Sequence, residues 1–404
     1  MKSHALNYYQ HELSALRAQS QYRSLSEVTT QSSDMQCCIR KEQAAINFSS
    51  NDYLGLSQHP LLKKAAIETI EQYGVGSASS RLICGTTTLV SQLETEIAAW
   101  KNCEAALYFA TGYQANITAL QALLKAEDWV FADRLNHASL VDGCRLSGAR
   151  WTRYKHLDYE HLERLLVKAP WDAQKWIITD SIFSMDGDSA DLVRLADIAD
   201  KYGALLYVDE AHGTGLYGAK RSGLCEELGV STRVTIQMGT FSKALGGSGA
   251  YIAGKKVIID YLVNKARGFI YSTAPSPPVI AAAMAAIQLV QSDDSFTEKL
   301  WRNIHFLQEE LVSVGIHMGQ PIKLESPIVP LITKDPVLTL ALSDALLMQG
   351  YYVHPIRPPS VPPGESRLRL SLSAAHSVEQ ISGLVKALQE IFNVEMLGYH
   401  AYTK

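Results

Sequence analysis

The sequence predicts an α/β protein: a large domain with a mostly parallel sheet covered by helices, then a smaller α+β domain toward the C-terminus. Three observations predict it. Ala204-Leu205-Leu206-Tyr207-Val208 is a continuous apolar run, the pattern of a strand buried on both faces. From about residue 59 to 275, strand patterns alternate with helix patterns, which calls for parallel strands joined by right-handed βαβ crossovers. And 404 residues exceed one typical domain, so a second, smaller body is expected. The expected division is 1–45 for an N-terminal helix and connecting segment, 46–280 for the large domain, 281–395 for the small domain and 396–404 for a tail.

The elements follow in order. Leu6, Tyr9, Leu13 and Leu16 share one helical face, predicting a short amphipathic helix that packs on the body or on a partner subunit. Residues 24–44 are polar and rich in Ser, Thr and Gln, a loop or short ribbon. Trp176-Ile177-Ile178-Thr179 is a strand. Residues 191–202 form a helix with Leu192, Leu195 and Ile198 on one face, stopped by Gly203 before the Ala204 strand. An Ala-rich helix spans 278–291. Beyond it lie a strand at 328–332, a helix at 338–349, a strand at 351–356, a strand at 367–373 and a last helix. Within 367–373, Leu368, Leu370 and Leu372 alternate with Arg367, Arg369, Ser371 and Ser373, predicting a half-buried strand with a polar face. The tail from Met396 carries no interpretable signal.

Composition narrows the function. An apolar content of 47% supports a full core, and a net charge of −4 without a basic block argues against nucleic acid. The six cysteines (37, 38, 84, 103, 144 and 225) show neither CxxC spacing nor disulfide density, pointing to a reducing, cytoplasmic setting. The first residues lack the apolar core of a signal peptide, and no run is expected to span a membrane. No metal-ligand pattern is evident.

Four motifs carry chemistry. Gly239-Thr240-Phe241-Ser242-Lys243-Ala244-Leu245-Gly246-Gly247 sets one lysine just past an apolar run, where a buried amine can lose its proton and form a Schiff base. Thr240 and Ser242 add hydroxyls for a phosphate, which together suggests lysine-bound pyridoxal phosphate (PLP). The Ala204 strand ends in Asp209-Glu210-Ala211-His212-Gly213-Thr214-Gly215. A carboxylate at such a strand end can pair with the cofactor's pyridine nitrogen and keep the ring electron-accepting. His137, in Asp133-Arg134-Leu135-Asn136-His137-Ala138-Ser139, is suited to stacking on a cofactor ring. Tyr108-Phe109-Ala110-Thr111-Gly112-Tyr113 turns from an apolar run into a helix whose first amides, at Gly112 and Tyr113, form a natural phosphate site.

In this order the four motifs resemble the α-oxoamine synthase family of fold-type I PLP-dependent transferases. Asn47-Phe48-Ser49-Ser50-Asn51-Asp52-Tyr53-Leu54-Gly55-Leu56, Phe183-Ser184-Met185-Asp186-Gly187-Asp188 and Tyr271-Ser272-Thr273 extend the resemblance to about residues 45–390. It implies that Lys243 binds PLP and moves the substrate α-proton, with Asp209 at the ring nitrogen and His212 and Ser184 near the ring 3-oxygen. His137 would stack on the ring. Thr240 with the Gly112 and Tyr113 amides would hold the phosphate, and Ser272 and Thr273 would reach a neighbouring subunit's phosphate in a homodimer. Asn51 is implied for the acyl substrate and Arg369 for the amino-acid carboxylate, although two exposed arginines on an edge strand would give the same pattern. Ile356-Arg357-Pro358-Pro359-Ser360-Val361-Pro362 with Arg367-Leu368-Arg369-Leu370 is nearest to the biotin-pathway member, which joins L-alanine to pimeloyl-CoA or pimeloyl acyl carrier protein with loss of carbon dioxide. Sister activities stay open: 5-aminolevulinate synthase, 2-amino-3-ketobutyrate CoA ligase, serine palmitoyltransferase or an autoinducer synthase, as do an aminotransferase and a non-catalytic protein of the same fold. Ala78, Cys84 and Asp180 depart from the family's more usual Gly, Ser and Glu.

Overall fold

The computed structural model describes residues 2–25, 27–31, 34–40, 42–316 and 325–402. The chain forms two compact units. The large one comprises residues 51–184 and 188–298, and the small one 1–50, 185–187 and 299–404. The boundary falls inside the helix Ser295–Ser313 rather than at 280, because the helix Pro277–Ser292 packs on the helix Pro60–Tyr73 of the large unit.

The strands, in chain order, are β1 (Val28–Gln31), β2 (Asp34–Arg40), β3 (Gln43–Asn47), β4 (Ala105–Phe109), β5 (Trp129–Asp133), β6 (Arg150–Tyr154), β7 (Lys175–Asp180), β8 (Ala204–Asp209), β9 (Ile236–Thr240), β10 (Ala250–Gly254), β11 (Ile328–Lys334), β12 (Tyr351–Tyr352), β13 (His354–Ile356) and β14 (Ser366–Ser371). In the large unit, seven strands run in the order β4-β10-β9-β8-β7-β5-β6. β10 is antiparallel to both its neighbours and the other pairings are parallel. All six residues of β7 and all five of β9 are buried, as strands covered on both faces require.

The crossover from β7 to β8 shows how the sequence builds this. Asp191 caps the helix Leu192–Tyr202 by accepting the Arg194 amide at 3.0 Å, and Gly203, at φ 62°, ends it in the left-handed conformation that glycine adopts without penalty. Leu192, Leu195 and Ile198 are buried, each contributing about 1.5–3 kcal/mol relative to exposure. The helix is thus held by its apolar face, and it delivers the chain to β8 in the next parallel position.

The small unit holds two sheets. One, ordered β1-β2-β3-β12, makes a ribbon of the described residues between Val28 and Asn47, with β12 parallel to β3. The other is the antiparallel set β11-β14-β13. The expected strand over 351–356 is therefore two strands in different sheets. The chain turns from one to the other at buried Val353, whose carbonyl accepts the Ser343 hydroxyl at 2.6 Å. β14 also differs from expectation. The alternation is present, but its polar side is not exposed: Arg367 is 2% and Arg369 7% accessible. Arg367 can be buried because its guanidinium is paired, with Asp186 at 2.5 Å, the Met185 carbonyl at 3.1 Å and Glu365 at 3.2 Å. The helix Lys2–Ala18 forms, but Leu6, Tyr9, Leu13 and Leu16 remain 37–62% exposed on it. Residues 396–402 continue the helix Val378–Tyr402. Of the cysteine pair, Cys38 is buried and unbridged, and the Cys37 side chain lies outside the described residues.

Candidate active site

Four parallel strands finish at the same edge of the large sheet, and each finishes on a polar residue: Asp133, Asp180, Asp209 and Thr240. The register sets Asp180 beside Asp209, and Asp209 beside Met238. Open α/β sheets bind ligands beyond such carboxyl ends. Here a cavity of about 170 Å3 lies among Gly112, Tyr113, Asn116, His137, Ser139, Asp180, Asp209, His212, Thr240, Ser242 and Lys243.

Lys243 is carried by the turn after β9. That turn closes through the Gly246 amide on the Lys243 carbonyl at 2.9 Å and the Gly247 amide on the Phe241 carbonyl at 2.8 Å. Gly246 sits at φ 63°, and a Cβ there would fall 2.3 Å from the Ser57 nitrogen. The Lys243 Nζ lies 2.9 Å from His212 Nε2, and His212 Nδ1 lies 2.8 Å from the Tyr53 hydroxyl. Tyr53 donates its hydrogen to Asn51 Oδ1 at 3.1 Å. With that hydrogen committed, His212 donates from Nδ1 and offers Nε2 as an acceptor to the lysine.

Asp209 is fixed from two sides. Its Oδ1 accepts the Ala211 amide at 2.8 Å, and its Oδ2 accepts Asn116 Nδ2 at 2.7 Å. Asn116 also donates to Ser139 Oγ at 2.8 Å and accepts from the Tyr207 hydroxyl at 2.7 Å. Ser139 Oγ in turn lies 2.7 Å from His137 Nδ1. A single network therefore links the carboxylate to the histidine. The sequence motifs give no role to Asn116, Ser139, Tyr207 or Tyr53. The signal available was an amide in a helix among Ala115, Ala119 and Leu120, a setting that buries it and obliges it to find partners.

Electrostatics assigns protonation. Burial pulls the His137 imidazole down, with Lys243 adding to the effect and Asp209 opposing it, so the ring is neutral near pH 7. Burial pushes the Asp180 carboxyl well above the usual range, and the neighbouring Asp209 charge pushes the same way. Asp180 Oδ2 accepts the His137 backbone amide at 2.8 Å, so the shorter side chain still seats that turn.

Opposite Asp209 is an anion cradle. The helix Gly112–Leu123 is capped by Thr111, whose hydroxyl accepts the Gln114 amide at 3.1 Å. The Gly112 and Tyr113 amides belong to the first turn, which lacks intrahelical acceptors and favours anions. Thr240 and Ser242 face it with hydroxyls 2.8 Å apart, and a Cβ on Gly112 would come 3.0 Å from Met238 Cε. An amine, a carboxylate and an amide–hydroxyl cradle around one small cavity form a donor set that fits pyridoxal phosphate.

The other expected residues lie elsewhere. Asn51 reaches His212 through Tyr53, and Ser184 is half-buried on the segment after β7. Ser272 Oγ accepts Gln114 Nε2 at 2.8 Å, and Thr273 bridges Ser80. Arg369 belongs to the small unit, where it donates to Ser371 Oγ at 2.8 Å.

Residues 43–388 match the family described as aminotransferase class I and II. The chain belongs to that family. An 8-amino-7-oxononanoate synthase of Anaeromyxobacter sp. (strain K) is 44% identical over 388 residues, 96% of each chain. Among solved structures, a serine palmitoyltransferase of S. paucimobilis with PLP–myriocin bound superposes with a TM-score of 0.90 at 27% identity, covering 96% of this chain and 98% of that one. An 8-amino-7-oxononanoate synthase of Francisella tularensis superposes with a TM-score of 0.76 at 30% identity, covering 87% and 99%. The aminotransferase class I and II family is PLP-dependent, and in this member the cavity around Lys243 has the groups to hold that cofactor.

Proposed function

We propose that this protein catalyses the 8-amino-7-oxononanoate synthase reaction of biotin biosynthesis, the decarboxylative condensation of L-alanine with a pimeloyl thioester. The observation that carries this reading is 44% identity across 96% of both chains to a synthase of that name. The cavity supports it: Lys243, His212, Asp209 and His137 lie together, and each has a use in the reaction.

Bound there, PLP supplies an electron sink for the negative charge that develops at the alanine α-carbon. The chain's own groups do the rest. Asp209, held by Asn116 and the Ala211 amide, would keep the cofactor's ring nitrogen protonated. Lys243 would hold the cofactor through its amine and, with that amine free, would accept the α-proton as general base. His212 would lie beside the ring 3-oxygen, held in place by Tyr53, with Ser184 acting from the turn after β7. His137, neutral and fixed through Ser139, would stack on the ring. The Gly112 and Tyr113 amides and the Thr240 and Ser242 hydroxyls would hold the phosphate. The α-carbon bonds to the thioester carbonyl, the thiol leaves, carbon dioxide departs from the former alanine carboxylate, and a proton takes its place. Asn51 and Arg369 are assigned to the acyl substrate and the amino-acid carboxylate.

Thiol release from pimeloyl-CoA is the test, with L-alanine, glycine and L-serine in parallel. Release with alanine, reduced by at least about 10²–10⁴-fold in Lys243→Ala, is expected. Release with L-serine instead would favour the second reading, a serine palmitoyltransferase-like activity, which the TM-score of 0.90 supports. Pimeloyl acyl carrier protein as donor separates the two thioesters.

We also assign a homodimer in which Ser272 and Thr273 complete a partner's phosphate site. Support comes from Leu82, Ile83 and Tyr271, exposed at 51%, 80% and 73% on the same unit. An active monomer in sedimentation would overturn the assignment. A cytoplasmic location is proposed from the cysteine pattern; no described helix is long and apolar enough to cross a membrane.

A further inference from the structure

His156, on the loop after β6, lies outside the cavity and makes two ion pairs. Its Nδ1 is 2.9 Å from Asp133 Oδ1, and its Nε2 is 2.9 Å from Asp188 Oδ2. A carboxylate on each ring nitrogen is satisfied when both nitrogens carry protons, so the ring is an imidazolium. The ring also stands edge-on to Phe183, with centroids 4.4 Å apart at 87°.

The two carboxylates belong to the two segments that carry site residues. Asp133 ends β5, and its side chain, fully shielded from solvent, organises the turn that leads to His137. Its Oδ1 also accepts the Leu135 amide at 2.8 Å, and its Oδ2 the Leu157 amide at 3.0 Å. Asp188 closes the turn that carries Ser184, through its carbonyl on the Phe183 amide at 3.0 Å. The His137 amide is bound at the same time to Asp180, which ends β7 just ahead of that turn.

We propose that His156 is a positioning residue, a cationic brace between Asp133 and Asp188 that sets the His137 turn against the Ser184 turn. His156 touches neither cofactor nor substrate and acts through those two residues. The inference rests on the proposed reaction and concerns how its walls are held. Losing the brace leaves two carboxylates facing each other, so the two turns separate.

The test compares PLP-saturated wild type with His156→Gln, Asp188→Asn and the double variant. His156→Gln is expected to keep its far-UV circular dichroism, to lose part of the visible dichroism of bound PLP, and to show kcat lowered about 10- to 100-fold, since small misplacements in a site cost that much. The double variant should be no worse than His156→Gln, because both changes cut the same pair. Wild-type visible dichroism and kcat in PLP-saturated His156→Gln, even with a lower unfolding temperature, would overturn the proposal. So would strictly additive losses in the double variant. Should wild type itself release no thiol, the proposed reaction falls, while the dichroism still tests the brace. If His156→Gln does not fold, Asp188→Asn carries the same readouts, with Asp188 39% exposed and at the brace's outer end.

Discussion

Asn116 concentrates the site's dependence on a single side chain, since it donates to Asp209 and Ser139 and accepts from Tyr207. Asn116→Ala should destabilise the holoenzyme by about 1–3 kcal/mol in urea unfolding, because it leaves buried partners unsatisfied. It should also lower PLP affinity, since both Asp209 and His137 are anchored through it. Lys243, Asp209, His137 and His212 could be read from the sequence because each sits in a motif whose chemistry names it. Asn116 and Tyr53 could not. Their value comes from partners 93 and 159 residues away, which no local spacing encodes.

At the scale of elements, parallel strands and their caps were legible because period and punctuation are local. The helix Leu192–Tyr202 begins at Asp191 and ends at Gly203, as the cap and stop residues imply. β14 was half legible. Its alternation is written in the sequence, but the burial of Arg367 depends on Asp186, nearly two hundred residues earlier. The break at Val353 was not legible either, since two sheets compete for a short run, and Ser343 on the preceding helix holds the turn between them. One departure from the family's usual residues has a local consequence. Ala78 sits at φ 49°, a left-handed conformation that costs a residue with a Cβ roughly 1–2 kcal/mol. Ala78→Gly should therefore shift stability upward by at most about 1 kcal/mol, once the greater chain entropy of glycine is set against the relief. Thermal unfolding of the two proteins side by side checks this, and a lower midpoint for the glycine variant would contradict it.

Across the whole molecule, stability should depend on pH through His156. Burial alone would lower its pKa, but the hydrogen bonds to Asp133 and Asp188 outweigh that and raise it from 6.5 to about 10. The folded state thus holds this proton more tightly than the unfolded chain does. The resulting stabilisation is complete below about pH 6.5 and disappears as the pH rises through about 10. Urea midpoints should fall between pH 7 and pH 10 in wild type, and fall less in His156→Gln. Equal falls in the two proteins would assign the effect to other groups. The fully buried pair Lys101–Glu210 holds the segment after β8 without such sensitivity: burial alone would lower the lysine pKa, but the charge and hydrogen bond of Glu210 outweigh it and raise the pKa beyond that range.

The sequence by itself determined the α/β class, the strand that presents Asp209, the lysine that carries the chemistry and the expectation of PLP. Apolar period, caps and short motifs are properties of neighbouring residues. Tertiary structure decided which side chains hold these groups in place: Asn116 under Asp209, Tyr53 behind His212, His156 between two turns, and Asp186 against Arg367. Each is a polar group wholly or partly buried by folding, and its partner is chosen by where distant strands end in space.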